Sequence, residues 1–534
     1  MRLDIKPFHD EAYGCLDDVV VTIMKWLGRR HEMMFCDAWN FFYAPKATDS
    51  NIPLGKRIDL GDVDFGKHYM LEKYHGVKVI KHKHTPASET LELIKNELSS
   101  GRPVILRINL HYCIWTSVET IVRNNPSHAI VVTGYDLHER LLYCLDPFMN
   151  DQINILPLPV FIEACNEGCL PVTYICTGDE TFDVRWQDVI KDAVFLLCGN
   201  NGGQNAFESM LELAEEIEIS LNLKSEMPGY ANYLYSPLII SLVKIYRGRL
   251  KFSKALDFLL TQNAPPILAD FKQKLEMSAM KWNAVKTLIL KMCYLDDYSI
   301  FTYKAANKIR EASAFEKQLA DDLLSLSLSQ SFCSSFSVSD FNGPDEIKEI
   351  IQIDLKKHLN SKNFGKRVLE KFTVVEGDHK NCLFVEDLPS GDQWKVGNIK
   401  FNFLGNSDLT YDNIICDGQK IDCPTDRYDS VMFLGASEQG DFFEEAVFEF
   451  TDGYFEKTTL NFSNIHKHNP SFGESVACKL KLVKFQGEVP VYVPGTLHLY
   501  AKSYKIKHSG ELCSIKLPEC MNIHIFAISL GKSL

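Results

Sequence analysis

Although the chain contains sixteen cysteines, no two stand at CxxC spacing, and the nearest approach is Cys165 with Cys169. Structural zinc sites are usually assembled from closely spaced ligand pairs, so no metal is expected. The thiols read instead as reduced, mostly buried small hydrophobes. No apolar run approaches the roughly 18 residues that a membrane span needs. The opening MRLDIKPFHDEAYG has neither an apolar stretch nor a small-residue cleavage site, so a cytoplasmic protein without a membrane partner is expected. Positive charge is in deficit, with 57 Lys and Arg against 70 Asp and Glu for a net charge of −13. That balance disfavours a nucleic acid as partner over any wide face. No internal repeat is evident.

What is present is a chain of 534 residues with 46% hydrophobic and 24% charged residues, enough for about two to four domains. Residues 1–185 mix helix and strand periods. A helix is expected from Cys15 to about Gly28, with Val19, Ile23, Trp26 and Leu27 on one face, and a second at Phe35 to Phe42. Val77–His84 alternates as a strand with a basic outer face, Glu89–Leu98 is amphipathic, and Pro103–Ile108 reads as a buried strand. A hairpin should follow, with strands at 128–136 and 141–146 around Leu137-His138-Glu139-Arg140. Residues 186–328 keep a helical period throughout, with helices expected at Leu238–Tyr246, Ala255–Leu260, 267–295 and 301–324. This segment is expected to buttress or cover the first. Ser325–Ser339 is serine-rich, so 329–370 is read as a linker with a connecting helix. From 371 to 534, short alternating stretches between turn signals imply an antiparallel β-sandwich of jelly-roll type. The fold class is therefore α+β, followed by helices and a sandwich.

Three pieces carry chemistry. Tyr13-Gly14-Cys15 opens the first helix, where the macrodipole and free N–H groups favour a thiolate. Ser127-His128 heads an apolar strand, and Asp146 closes the next one, within a pair or two of the position opposite His128. A thiol, a base and a carboxylate that orients the base are the parts of cysteine acyl chemistry. The bland alternatives are a buried helix-start cysteine, a strand-end histidine and an Asp-Pro turn aspartate.

The order Cys15, His128, Asp146, with the cysteine opening a helix, resembles the papain-like superfamily. Within it, YGC, GRPVILRIN followed by His111-Tyr112, SHAIVVTGYD and YCLDP resemble the family named for the N-terminal domain of the butirosin-biosynthesis acyltransferase BtrH. They also resemble, more distantly, C39-type peptidases. The resemblance implies a papain-like domain over 1–185 in which Cys15 takes an acyl group from a carrier-protein phosphopantetheine thioester. His128 would act as base and then acid, Asp146 would orient it, and a small amine would receive the acyl group as an amide in specialised-metabolite biosynthesis. No permanently bound cofactor is implied.

There are departures. Where papain-like enzymes place an oxyanion-donating glutamine six residues before the cysteine, this chain has His9. Phe35-Cys36-Asp37-Ala38-Trp39 replaces the family's Ser-Glu and glycine-rich turn. His111 and Tyr112 are candidate pocket residues. Lys78, Lys81 and Lys83 are candidates for docking an acidic acyl or peptidyl carrier protein, or else blunt an edge strand. Arg247, Arg249 and Lys251 would likewise suit an acidic carrier protein or its phosphate, with a solvated helix end the favoured reading. The segment Tyr428–Gly435 resembles accessory sandwich domains of carbohydrate-active enzymes. The competing functions are a peptidase or amidohydrolase with the same three residues, and a non-catalytic glycan- or partner-binding protein. The oligomeric state is left open.

Overall fold

In the computed structural model the residues described are 1–45, 52–60, 63–82, 86–116, 127–167, 172–178, 184–198, 205–226, 233–262, 264–295, 297–328, 349–361, 364–365, 380–384, 393–396, 399–403, 411–438, 440–467, 470–486 and 489–532. The chain divides into two compact units, Met1–Phe332 and Cys333–Leu534. Among the described residues no helix is long and apolar enough to cross a membrane.

The first unit is built on a six-stranded antiparallel sheet. Its strands are β1 (Val77–His82), β2 (Val104–Asn109), β3 (Ser127–Asp136), β4 (Leu141–Leu145), β5 (Ile153–Pro157) and β6 (Val172–Thr177), in the order β1-β6-β2-β3-β4-β5. β3 lies between β2 and β4 with Ala129–Val132 buried throughout, as expected of a strand covered on both faces. Helix α1 (Cys15–Trp26) packs along β3 and buries Val19, Val20, Val21, Ile23 and Met24. Each such side chain contributes about 1.5–3 kcal/mol. Helices α2 (Ala87–Ser99) and α3 (Leu158–Glu167) supply Ile94, Leu98, Phe161 and Ala164 to the cluster that holds Leu106, Ile130 and Val132.

The segment before α1 is tied to the same strand. Leu3 N–H donates to Thr133, and Tyr135 N–H donates to Met1 at 2.9 Å. A Cβ at Gly134 would stand 2.4 Å from the Met1 carbonyl oxygen, so only glycine lets this arm cross. The arm brings residues 9–15 to the head of β3, where His128 sits.

The helical segment consists of α4 (Trp186–Cys198), α5 (Ala206–Ser220), α6 (Pro237–Thr261), α7 (Leu268–Met292) and α8 (Ser299–Leu328), with a short helix at Leu223–Glu226. Leu238–Tyr246 and Ala255–Leu260, expected as separate helices, are one helix of 25 residues. The intervening Arg247–Lys254 has no breaker apart from Gly248, whose missing side chain lets Ala38 approach. The helix expected at Phe35–Phe42 is absent. A 3₁₀ turn at Glu32–Phe35 and a strand at Phe42–Tyr43 take its place.

Tertiary contacts decide that exchange. Trp39 Nε1–H donates to Glu316, and Phe41 stacks on Trp282. Glu316 is fully buried and also accepts from Arg249 at 2.8 and 2.9 Å, from Trp282 and from Ser278. Burial raises its carboxyl, but the Arg249 guanidinium and these donors outweigh that and hold it below the usual range. Arg249 is therefore the centre of a buried ion pair, and the solvated helix end expected for it is not found.

The second unit is a β-sandwich. An eight-stranded sheet includes Ser430–Ser437, Ser475–Gln486, Val489–Lys505 and Ile523–Lys532. A four-stranded sheet runs Lys420–Asp426, Leu512–Lys516, Phe442–Phe450, Phe455–Phe462. Their apolar faces supply a core that includes Phe433, Phe448, Phe462, Ile515 and Phe526. The Asp452-Gly453 turn joins two strands with Gly453 at φ 84°. Val396–Phe403, expected as one strand, is a hairpin of Gln393–Val396 with Ile399–Asn402. Of the stretch expected as a linker and connecting helix, Glu349–Gln352 is instead a strand paired with Ile523–Lys532. Its β-branched Ile350 and Ile351 suit a sheet edge better than a helix. Ser325 and Ser327 belong to α8, and 329–348 lies outside the described residues.

Candidate active site

Cys15 is the first residue of α1, after an extended Gly14 whose N–H donates to the Asp17 carboxylate at 2.8 Å. The thiol is half-buried and hydrogen-bonded to His128 from the head of β3, and it also receives the Ala129 N–H. β4 ends at Leu145, opposite Val131, so Asp146 lies alongside the start of β3. His128 Nε2 is 2.9 Å from both Asp146 oxygens. With Nε2 committed to the carboxylate, Nδ1 is left for the sulfur. His128 is 5% exposed and Asp146 fully buried.

The electrostatics follow from this linkage. Burial pushes the Cys15 thiol up, but the hydrogen bond and charge of His128 outweigh it and hold the thiol below its ordinary range. Burial likewise pulls His128 down, yet the bonds to Asp146 and Cys15 prevail and push it up to about 9. The two shifts share one cause, the mutual hydrogen bond and charge of Cys15 and His128, backed by a buried carboxylate.

Two aromatic residues that local patterning does not single out complete the site. Trp115 Nε1–H donates to Asp146 Oδ2 at 3.0 Å. Phe148, two residues past Asp146, meets the His128 ring edge-on at 6.2 Å and the His9 ring at 5.9 Å. Trp115 closes HYCIW and Phe148 closes LDPF, so their only signal is adjacency to the candidate segments.

His9 stands on the same side, its Nδ1 2.7 Å from Asp18 Oδ2. Asp18 is fully buried, and burial raises its carboxyl to about 6 against the opposing pull of His9. When Nδ1–H donates to an ionised Asp18, Nε2 is a lone pair. His9 can donate to an oxyanion only when the pair holds a second proton. The Cys15 N–H, among the first groups of a helix and without an intrahelical partner, has no such restriction.

His111 and Tyr112 do not form the wall expected of them. Tyr112 is buried in the core cluster of the sheet, and His111 is exposed with its ring against Tyr112. Lys78 and Lys81 point outward on β1, which is the sheet's edge, and Lys78 pairs with Glu72 at 3.2 Å. Lys83 lies outside the described residues. Cys36 is buried, and burial raises its thiol well above the ordinary range.

Cys113, His128 and Asp146 have ligand atoms within 4.8 Å of one another. Burial raises the Cys113 thiol well above its ordinary range, so an ion bound there would have to displace its proton. It would also require the His128–Asp146 hydrogen bond to open. Two of the three, His128 and Asp146, are already joined by a buried hydrogen bond.

Residues 48–162 match the Peptidase_C39 like family. The matched segment contains His128 and Asp146 and begins after Cys15. It supports a papain-like cysteine enzyme and does not single out the BtrH type. Residues 370–533 match the AziU2-like beta-sandwich domain, in agreement with the second unit's architecture. No curated protein matches the chain.

Proposed function

We propose that the first unit is a cysteine acyltransferase, forming an amide between a thioester-bound acyl group and a small amine through an acyl-enzyme on Cys15. The observation that carries this reading is the continuous hydrogen-bonded line from Cys15 through His128 to a buried Asp146. The thiolate adds to the thioester carbonyl, and the oxyanion faces the α1 N-terminus. As the carbonyl re-forms, the carbon–sulfur bond to the donor breaks, and His128 gives its proton to the departing thiolate. The amine then attacks the acyl-cysteine, His128 takes the amine proton, and Cys15 leaves as thiolate. A thioester is already activated, so the remaining tasks are orientation and keeping water out. Phe148 and Trp115 give the pocket apolar cover suited to that.

On this reading the donor is phosphopantetheine on an acidic acyl or peptidyl carrier protein, and the exposed edge of β1 offers it Lys78 and Lys81. A K78E/K81E variant should raise KM for a carrier-borne donor more than for a free pantetheine thioester. Equal effects would remove the docking role.

The Peptidase_C39 like match favours a second reading, hydrolysis of a peptide or other amide by the same residues. Partition of the acyl-enzyme separates the two. Pre-formed acyl-Cys15 enzyme is mixed with a panel of amines, and amide and free acid are quantified. Amide in excess at millimolar amine supports transfer, and free acid alone at every amine concentration assigns the hydrolase.

A further inference from the structure

One face of α6 looks onto the segment that carries the site. Arg247, Lys251 and Lys254 stand at i, i+4 and i+7 on that face, so their side chains project in the same direction. Two of the three meet carboxylates near Cys15. Lys251 Nζ is 2.5 Å from Asp17 Oδ2, and Lys254 Nζ is 2.9 Å from Asp10 Oδ2. Among the described residues Arg247 is paired with no carboxylate. Its guanidinium lies 5.5 Å from the centre of the Phe148 ring, and its Nε is buried without a hydrogen-bond acceptor among the described residues. A buried donor left unmatched is costly, and arginine is the side chain best shaped to take a planar oxyanion in two parallel bonds. Phe148 is also the residue whose edge meets His128 at 6.2 Å. Two ring contacts in series therefore link the guanidinium to the catalytic imidazole.

We infer that Arg247 is a specificity residue that binds a carboxylate on the substrate of Cys15, the substrate carbon skeleton lying along Phe148. The identity of that substrate as an acyl donor or an amine rests on the acyl-transfer reading; the anion preference of the pocket does not. A carboxylate fits the spacing better than the phosphate of a pantetheine arm, which is held much farther from the thioester than two ring contacts. The short path suits an acyl group ending in a carboxylate, or an amino acid as acceptor.

The test uses the full chain and two alkylating probes matched in size, N-iodoacetylglycine, which is anionic, and N-iodoacetylglycinamide, which is neutral. Modification of Cys15 is followed by intact mass at pH 7. The wild-type protein should favour the anionic probe relative to the same ratio measured on free glutathione. R247Q, which removes the charge and leaves a shorter side chain with a planar polar end, should lower the ratio by roughly tenfold, the size of one charged hydrogen bond in a partly open site. R247K should recover part of it, because it restores the charge without the fork. A wild-type ratio no higher than that of glutathione, or a ratio unchanged in R247Q, overturns the inference.

The acyl-transfer arms then place the anion. Succinyl and butyryl thioesters of N-acetylcysteamine compare donors with and without a carboxylate, and glycine and ethylamine compare acceptors. A selective loss with R247Q in either pair identifies which substrate carries the group. A probe preference that disappears in R247Q, in a protein that never acylates, would keep the anion site and reject the acyl-transfer reading.

Discussion

Replacing Asp146 by asparagine removes one charge from the buried end of the hydrogen-bonded line and almost no volume. In the native site this carboxylate accepts from His128 on both oxygens at 2.9 Å and from Trp115 at 3.0 Å. Asparagine has a single acceptor oxygen, so one of the two donors must face an NH₂ group. The larger consequence is electrostatic. Burial alone depresses His128, and Asp146 is the main reason that it stands at about 9. A fall from about 9 to the ordinary 6.5 or below is worth roughly 3 kcal/mol in the proton affinity of the ring. The thiolate–imidazolium pair at pH 7 should therefore shrink by roughly two orders of magnitude, and the Cys15 thiol should rise toward its ordinary range.

The assay is the rate of Cys15 alkylation by iodoacetamide as a function of pH, read by intact mass. Wild-type protein should react well below pH 8, whereas Asp146→Asn should react at pH 7 about a hundredfold more slowly and recover only toward alkaline pH. The sign for stability is also set. A raised His128 stabilises the fold fully below about 6.5, and that contribution fades as the pH climbs through about 9. Asp146→Asn should lose this stabilisation on the acid side. An alkylation profile in Asp146→Asn that overlays the wild-type profile would refute the reasoning and leave Asp146 as a turn residue.

Trp115→Phe removes one donor to Asp146 while keeping an aromatic wall, and should slow Cys15 alkylation severalfold with the pH profile otherwise intact. Glu316→Ala uncovers Arg249 in the core and should destabilise the first unit by about 3–5 kcal/mol in thermal or denaturant unfolding. An effect under about 1 kcal/mol would mean that water replaces the carboxylate. Gly134→Val forces a side chain into the Met1 carbonyl and should loosen the N-terminal arm. The readout is faster proteolysis near residues 1–10 together with lower Cys15 reactivity.

The parts of the site legible in the sequence are those governed by short-range periodicity. The helix opened by Cys15 follows from a 3.6 period, and the approach of Asp146 to His128 follows from one hairpin whose turn length limits the register. What was illegible depends on contacts far apart along the chain. Trp39 leaves the helical pattern because Glu316 waits for its indole N–H, 277 residues away. Arg247, Arg249 and Lys251 read alike in sequence, yet one stacks on Phe148, one is buried against Glu316 and one neutralises Asp17. Only the packing of α6 against α8, the turn after β4 and α1 assigns them different work. Tyr112 illustrates the reverse case, since its position after a strand suggested a pocket, while the 3₁₀ turn Leu110–Tyr112 places it in the core. The sandwich was legible from alternation and turns, but the strand Glu349–Gln352 was not, because it is completed by a partner more than 170 residues later.

Incubation of the full chain with a small acyl thioester, quenched and read by intact mass with peptide mapping, tests the nucleophilic role of Cys15 most directly. The expected result is a single acyl adduct on Cys15, absent from Cys15→Ala and strongly slowed in His128→Ala. An adduct that persists in Cys15→Ala, or no adduct with any thioester under conditions where Cys15 is reduced and the protein folded, would contradict it.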